Sequence, residues 1–282
     1  MGRMEVTDRG GHARESLPVV PDRRLYERAA PSPGGLDALW HVDQGRTLFV
    51  GPLDYNASHH HGAPVYLAGL YGSFGLRVEG GDWLCCRTAV IPAGVRHELD
   101  LGGNPLAVFY IEPDVAGVDA LTPLVRDTRE VNGSLVGRTG EVSLLRALYE
   151  DGSATRWAGP ALTDLVGFAG RRAARQIDPR VSRVVAGLYA RYDDLTPVAR
   201  LAGSVGLSAS RFQRLFTREV GVPFRRYRAW HRMRAAIRGI VDGSNFTRAA
   251  HAAGFSDQAH FAHDFRRTFG APASRSLARV RA

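Results

Sequence analysis

Apolar residues fall in two rhythms along this chain, and the change of rhythm divides it. From Leu36 to about Pro113, short runs (LWHV, TLFV, PVYLAGLY, FGLRV, WLCC, AVIPAG, AVFYIE) are separated by Gly, Pro, Asn and Asp. Runs of that length and spacing predict many short strands, and so a small β-barrel or sandwich over residues 36–113. Beyond it the spacing turns helical: LTPLVRD, EVSLLRALYED and GPALTDLVGFAGRRAARQI predict a helical linker over residues 114–177. Helices in that place either pair two chains or cap the barrel, and the pattern leaves both open. Residues 1–35, rich in Arg, Gly and Pro and without period, predict a mobile arm.

Residues 178–282 carry the densest signal. DPRVSRVVAGLYARY puts Val181, Val184, Val185, Leu188 and Tyr192 on one stripe of an amphipathic helix. Thr196 to Gly203, a break at Gly206 and Leu207, and then SASRFQRLF predict a helix-turn-helix over about 196–219. Pro223 suits a first helical turn, and Phe224 to Val241 predicts a long linker helix bearing Arg225, Arg226, Arg228, Arg232, Arg234 and Arg238. Phe246 to Ala253, a break at Gly254, Phe255 and Ser256, and Asp257 to Phe269 repeat the unit over about 246–269. GLSASRFQRLF is answered by GFSDQAHFAHDF at the cost of one inserted residue, and two such matches are far less probable by chance than one.

At 100° per residue, Phe212, Leu215 and Phe216 share one stripe, leaving Ser210, Gln213, Arg214 and Thr217 opposite, with Ser208 at the helix start. The apolar stripe must face a core, so the other is free for base edges, where Gln and Arg match adenine and guanine in the major groove. In the second copy Phe261, Phe265 and Phe269 turn inward, and Ala259, Ala262, His263 and Arg266 outward, with Gln258 near the start. Two of those outward residues are Ala, so the second reader is expected to lean on His263, Arg266, Gln258 and the backbone.

Charge divides the chain at the same place. Residues 178–282 hold 19 arginines against 7 acidic residues, a balance of +12, whereas residues 1–177 come to −3. A surplus confined to one half points to a polyanion, double-stranded DNA, because neutralised phosphates release counterions. The adjacent Cys85 and Cys86 form no disulfide framework, and neither a signal-peptide pattern nor a membrane-length apolar run is present. The cytoplasm is the expected compartment, without membrane contact.

LAGSVGLSASRFQRLFTREVGVPFRRYRAWHRMRAA and FTRAAHAAGFSDQAHFAHDFRRTFGAPASRSL closely resemble the two halves of the AraC/XylS DNA-binding domain, over about Asp178 to Leu277. The resemblance implies that both second helices enter successive major-groove segments on one face of DNA, with first-copy contacts at Ser210, Gln213 and Arg214. Gly203 departs from it, where a better helix former is usual, and so does the ending Ala-Pro-Ala-Ser. In the first half, Pro92-Ala-Gly-Val-Arg-His97 resembles the second cupin motif, and His59-His60-His61 stands where the first motif puts its paired histidines. Metal-binding cupins use those positions plus an acid, and here the acid is missing, the next residues being Gly62, Ala63, Pro64, Val65 and Tyr66. Three neutral imidazoles from His59, His61 and His97 still suit zinc with water as fourth ligand. The other reading makes His59 to His61 a polar turn and His97 a hydrogen-bonded pocket residue. Cys85 and Cys86, on one strand, point to opposite faces, and an inward one would be free to join the histidines.

The expected fold class is α+β in two domains: an N-terminal cupin-like β-barrel with a helical linker or dimerisation segment, and a C-terminal all-α double helix-turn-helix domain over 178–282. The expected function is a sequence-specific DNA-binding transcription regulator, not an enzyme. Control would come from a small-molecule effector or a divalent metal in the barrel. Trp40, His59, His61, Tyr66, Trp83 and His97 are the candidate effector residues, and a homodimer partner and RNA polymerase are further expectations. The alternative is a cupin-type metal-dependent enzyme with an accessory DNA-binding module, which the absent carboxylate disfavours. A constitutive DNA-binding protein whose barrel only dimerises is a third reading.

Overall fold

The computed structural model describes residues 36–170, 177–189, 196–278 and 280–281. The arm expected over residues 1–35, and the helix ends expected over 171–176 and 190–195, lie outside them. The apolar runs of the first half become β1 (Ala38–Val42), β2 (Arg46–Pro52), β3 (Tyr55–His59), β4 (Val65–Gly69), β5 (Phe74–Val78), β6 (Trp83–Cys86), β7 (Thr88–Ile91), β8 (His97–Asp100) and β9 (Pro105–Ile111).

These strands form two sheets rather than one closed barrel. The larger has the order β10-β11-β7-β4-β9-β2-β1-β12 and the smaller β3-β8-β5-β6, where β10 is Val125–Val131, β11 Ser134–Gly140 and β12 Val280–Arg281. The two enclose a core in which Phe49, Leu67 and Val108 of the large sheet meet Leu76 and Leu99 of the small one. Alternate residues of the large sheet, Leu48, Tyr66 and Phe109 among them, point the other way. There they pack under α1 (Ser143–Glu150) and α2 (Ala158–Gly170) through Leu145, Leu148 and Leu162. These helices therefore cap the outer face of the sheet.

One expected helix is a strand. Residues 125–131 pair antiparallel with 134–140 and extend the large sheet beside β7. The reason is the turn between them, where Asn132 and Gly133 take φ of 48° and 75°, the double left-handed geometry that closes a two-residue hairpin. Only the short turn at Thr122–Leu124 keeps helical, 3-10, geometry in that stretch.

The second half is helical: α3 (Pro179–Tyr189), α4 (Val198–Ser204), α5 (Ala209–Val220), α6 (Phe224–Val241), α7 (Phe246–Ala252), α8 (Gln258–Phe269) and α9 (Ala273–Leu277). Helices α5 and α8 are built alike. Each is opened by a side-chain cap, Ser208 accepting from the Arg211 amide at 3.4 Å and Asp257 from the His260 amide at 2.7 Å. Each is closed by a left-handed glycine, Gly221 at φ 87° and Gly270 at φ 72°. At the end of the chain β12 pairs in parallel with β1, Ala38 opposite Val280, so the C-terminus is sewn into the first domain's sheet.

Candidate nucleic-acid interface and interdomain cavity

On α5, Phe212, Leu215 and Phe216 are buried, with the rings of Phe212 and Phe216 5.3 and 5.1 Å from Phe224 on α6. Burying each such side chain contributes roughly 1.5–3 kcal/mol, so the rotational setting of the helix is firmly fixed. Ser210, Gln213, Arg214 and Thr217 are consequently exposed and line an open groove with Arg218 and Arg225. Thr217 turns its hydroxyl back onto the Gln213 carbonyl at 2.9 Å, which leaves Gln213 and Arg214 as the free reading groups. On α8, Phe261, Phe265 and Phe269 are buried, while Gln258, Ala259, Ala262, His263 and Arg266 are exposed. The Gln258 amide oxygen accepts from Thr247 at 3.0 Å, and His263 lies 3.5 Å from the Asp264 carboxylate. The second reading face is thus partly committed to its own domain.

A second groove continues the first. Pro223 and Arg225 line both, and Arg226 and Arg267 carry it to His60 of the β domain. Burial, and then Arg226, Arg96 and Arg267, push the His60 imidazole below its ordinary pKa, as a crowd of cations must.

Helix α6 is clamped to the β domain by a buried polar cluster. Glu112 accepts from the Tyr227 hydroxyl at 2.6 Å and the Trp230 indole at 2.8 Å, and pairs with Arg234 at 3.2 Å. Arg234 also donates to the Thr47 hydroxyl at 2.8 Å and the Asp43 carbonyl at 2.6 Å. Further along the seam the Trp40 indole donates to the Ser276 carbonyl at 2.8 Å, and Asn56 to the Phe269 carbonyl at 2.7 Å. Between them lies a cavity of about 40 Å³, walled by Trp40, Asn56, His59 and His61 on one side and Phe265 and Phe269 on the other.

His59, His61 and His97 meet beside this cavity, with ring centroids 4.2 to 5.0 Å apart and all three buried. One ring nitrogen from each lies within 4.8 Å of the other two. The Nδ1 atoms of His59 and His97 face the carbonyls of Ala57 and Val95 at 2.7 and 3.1 Å. A carbonyl only accepts, so Nδ1 holds the proton and each Nε2 keeps a lone pair. His61 Nδ1 and His97 Nε2 are buried without a partner. Burial keeps the imidazoles neutral, pulling His97 down to about 4 and His59 and His61 well below their ordinary range.

With this geometry in place, comparison with known proteins is decisive. A family model described as a helix-turn-helix domain matches residues 201–279, which span α5 and α8. The chain carries an AraC-type DNA-binding domain. It is similar to the HTH-type transcriptional regulator NimR of Escherichia coli K12, 23% identical over 241 residues, 79% of this chain and 82% of that protein. Its two-domain fold is similar to that of ToxT from Vibrio cholerae with an unsaturated fatty acid bound, at TM-score 0.56, 14% identity, 84% of this chain and 96% of that one. A ligand-free ToxT structure superposes at TM-score 0.58, again 14% identical, over 85% of this chain and 99% of that one. The protein is thus a DNA-binding transcription regulator. Among the described residues, no helix is long and apolar enough to cross a membrane.

The AraC-type domain keeps every expected reading residue on the surface, but the β domain rearranges the expected effector set. Trp40, His59 and His61 line the cavity, with His97 against them. Tyr66 does not: it points to the opposite face of β4, donating to the carbonyls of Glu141 and Leu124 at 2.7 and 3.1 Å. Trp83 does not either, standing on the outer face of the small sheet 5.1 Å from the Arg77 guanidinium. Of the cysteines Cys85 is exposed and Cys86 buried, and neither belongs to the histidine cluster. The arginines of α6 are not a uniform phosphate comb, since Arg234 is buried in the seam, Arg228 stacks on Phe224 at 4.8 Å and Arg232 on Phe255 at 5.3 Å. Sequence reasoning missed Glu112 altogether. The acid following the AVFYI run was its one signal, an ionisable group placed where a buried strand ends.

Proposed function

We propose that this protein is a ligand-responsive regulator in which α5 and α8 read two successive major-groove segments and a molecule in the interdomain cavity adjusts how they are held. The observation that carries the reading is the composition of the cavity wall: the β domain supplies one side and the reading helix α8, with the start of α9, the other. At about 40 Å³ the cavity is far smaller than ordinary ligand pockets of ~300–1,000 Å³. An organic effector of ordinary size therefore fits only if the cavity widens, and parting α8 and α9 from the sheet widens it, which converts binding into movement of a reader. The proposed division is a regulatory domain over residues 36–170 and a DNA-binding domain over 178–282, acting in the cytoplasm without enzymatic activity. Direct readout falls to Gln213 and Arg214, with Ser208, Ser210 and Thr217 beside them. Gln258, Ala259, His263 and Arg266 serve the second segment, mainly by positioning. A homodimer and contact with RNA polymerase complete the reading.

The test is to sequence DNA fragments retained by the full chain at physiological salt and to repeat the selection with Arg214→Ala. An enriched motif that loses definition at one base pair in the variant is expected. Retention without any enriched motif would refute sequence-specific reading.

A further inference from the structure

The two reading helices rest on the β domain at equivalent points. The C-cap of α5, Gly221, lies against the 92–94 loop, where a side chain at Gly221 would stand 3.3 Å from the Ala93 carbonyl. The C-cap of α8, Gly270, lies against β3, its carbonyl accepting from the Ala57 amide at 3.0 Å, and a Cβ there would meet His59 Nδ1 at 2.8 Å. The two supporting segments are themselves tied, the Gly94 amide donating to the His61 carbonyl at 2.9 Å. His59 ends β3, the support of α8, with His61 two residues beyond it, and His97 follows the 92–94 loop, the support of α5.

We propose that His59, His61 and His97 bind one divalent transition ion of the zinc class, and that this ion fixes the spacing of the two supports and hence of the two readers. The coupling half rests on the regulator reading above; the binding half does not. Three observations carry the site. Two buried ring nitrogens, His61 Nδ1 and His97 Nε2, lack any hydrogen-bond partner, which a bound ion would supply. Backbone carbonyls hold the proton on Nδ1 of His59 and His97, leaving Nε2 as the donor atom, the arrangement by which outer-shell groups orient metal-binding imidazoles. His59 and His61 border a cavity that admits water-sized ligands to complete the coordination. The donor set is three neutral imidazoles without carboxylate, which suits zinc, copper, nickel or iron and not magnesium or calcium.

The experiment uses the full chain freed of metal by chelator and dialysis. Zinc is titrated by calorimetry and by tryptophan fluorescence, Trp230 lying 6.0 Å from the His61 ring. Wild type is expected to take up one equivalent with a saturable fluorescence change, and magnesium to give none. His97→Gln, which alters a ligand that makes no ring contact with the DNA-binding domain, should weaken zinc more than the ~10–100-fold that outer-shell changes cost. His60→Gln, beside the site but outside the cluster, should bind as wild type does. Should His97→Gln fail to fold, cobalt in the wild type replaces it, and a tetrahedral nitrogen-ligand visible spectrum is the expected signature. No saturable uptake, equal affinity in His97→Gln, or a cobalt spectrum of an octahedral aqua-like ion overturns the site. For the coupling, affinity is measured on selected DNA carrying both segments and on DNA carrying one. Zinc is expected to change the first at least several-fold and the second little. Equal effects on both, or none, overturn the coupling and leave metal uptake standing. Failure to retain specific DNA in any metal state counts instead against the regulator reading.

Discussion

Replacing Arg234 tests whether the two domains are coupled through α6. Arg234 is 3% exposed and Glu112 0%, so Arg234→Met preserves most of the aliphatic packing but strands a carboxylate in the interior. Removing one partner of a buried pair costs about 3–5 kcal/mol, because the remaining charge has lost its compensation. Here Tyr227 and Trp230 still donate to Glu112, which places the expected cost at the lower end, about 3 kcal/mol. Against a stability of roughly 5–15 kcal/mol this is a large fraction, and at ~2–4 °C per kcal/mol it corresponds to a loss of roughly 6–12 °C in melting temperature. Because the cluster joins domains, the loss should show first as a split of the unfolding profile, the β domain and the AraC-type domain melting separately. The companion variant Glu112→Gln keeps the shape and removes the charge, and the double variant should cost less than the two singles added, by ~0.5–3 kcal/mol. Differential scanning calorimetry and urea titration of the four proteins measure all of this. Strict additivity, or a loss below about 2 °C for Arg234→Met with one unsplit transition, would show that the seam is held elsewhere.

Other consequences follow from single contacts. Arg214→Ala should cost about 1–3 kcal/mol of base discrimination at one position, whereas His263→Ala, beside Asp264 on the second reader, should weaken binding evenly across sequences; competition binding against single-base operator variants separates the two. Gly221→Ala and Gly270→Ala both force a Cβ into the left-handed region at ~1–2 kcal/mol, but at Gly270 the new atom also collides with the Ala57 carbonyl, so urea titration should show Gly270→Ala clearly more destabilised than Gly221→Ala, and equal losses would contradict the collision. For Asp43, burial alone would raise the pKa, yet hydrogen bonds from His41 and Arg46 and the Gly45 amide hold it far below the carboxylate range. Its contribution is present above the unfolded value near 4 and is lost as pH falls below that. Asp43→Asn should therefore flatten the acid limb of a stability profile, and equal acid sensitivity in both proteins would contradict this.

How much of this was legible in the sequence depended on whether a segment has one buried face or two. The AraC-type domain was readable because α5 and α8 each bury one stripe, and because Gly206 and Gly254, both at positive φ, punctuate the repeat. The β domain was readable as strands but not as faces. Every residue of β4, Val65 to Gly69, is buried, since the large sheet packs on its partner sheet on one side and on α1 and α2 on the other. Alternation marks which side faces the core only when the other side is polar, so Tyr66 could not be assigned to the cavity or away from it. The buried role of Arg234 was hidden for a related reason. A basic helix reads as a phosphate surface until a buried acid from 122 residues earlier in the chain is placed against it, and no local pattern announces Glu112.

The same placement explains why two domains of opposite charge balance are held so closely. An AraC-type domain with two readers has an internal degree of freedom, the relative setting of α5 and α8 about α6, which its own three-helix units do not fix. The β domain contacts all three elements at once: Ala93 and Gly94 at the end of α5, Glu112 on α6, and Asn56 and Ala57 at the end of α8. Three contacts on one rigid sheet sandwich leave little freedom to the readers while the seam is closed. The free energy that opens or retunes the seam is then the free energy available for control. It need not be large, since a factor of ten in DNA affinity corresponds to about 1.4 kcal/mol. A single hydrogen bond such as that from Asn56 to the Phe269 carbonyl, worth about 1 kcal/mol net, is nearly enough. On the regulatory reading proposed above, the polar contacts that Asn56 and Ala57 make with Phe269 and Gly270 are therefore of the size that control of DNA affinity needs.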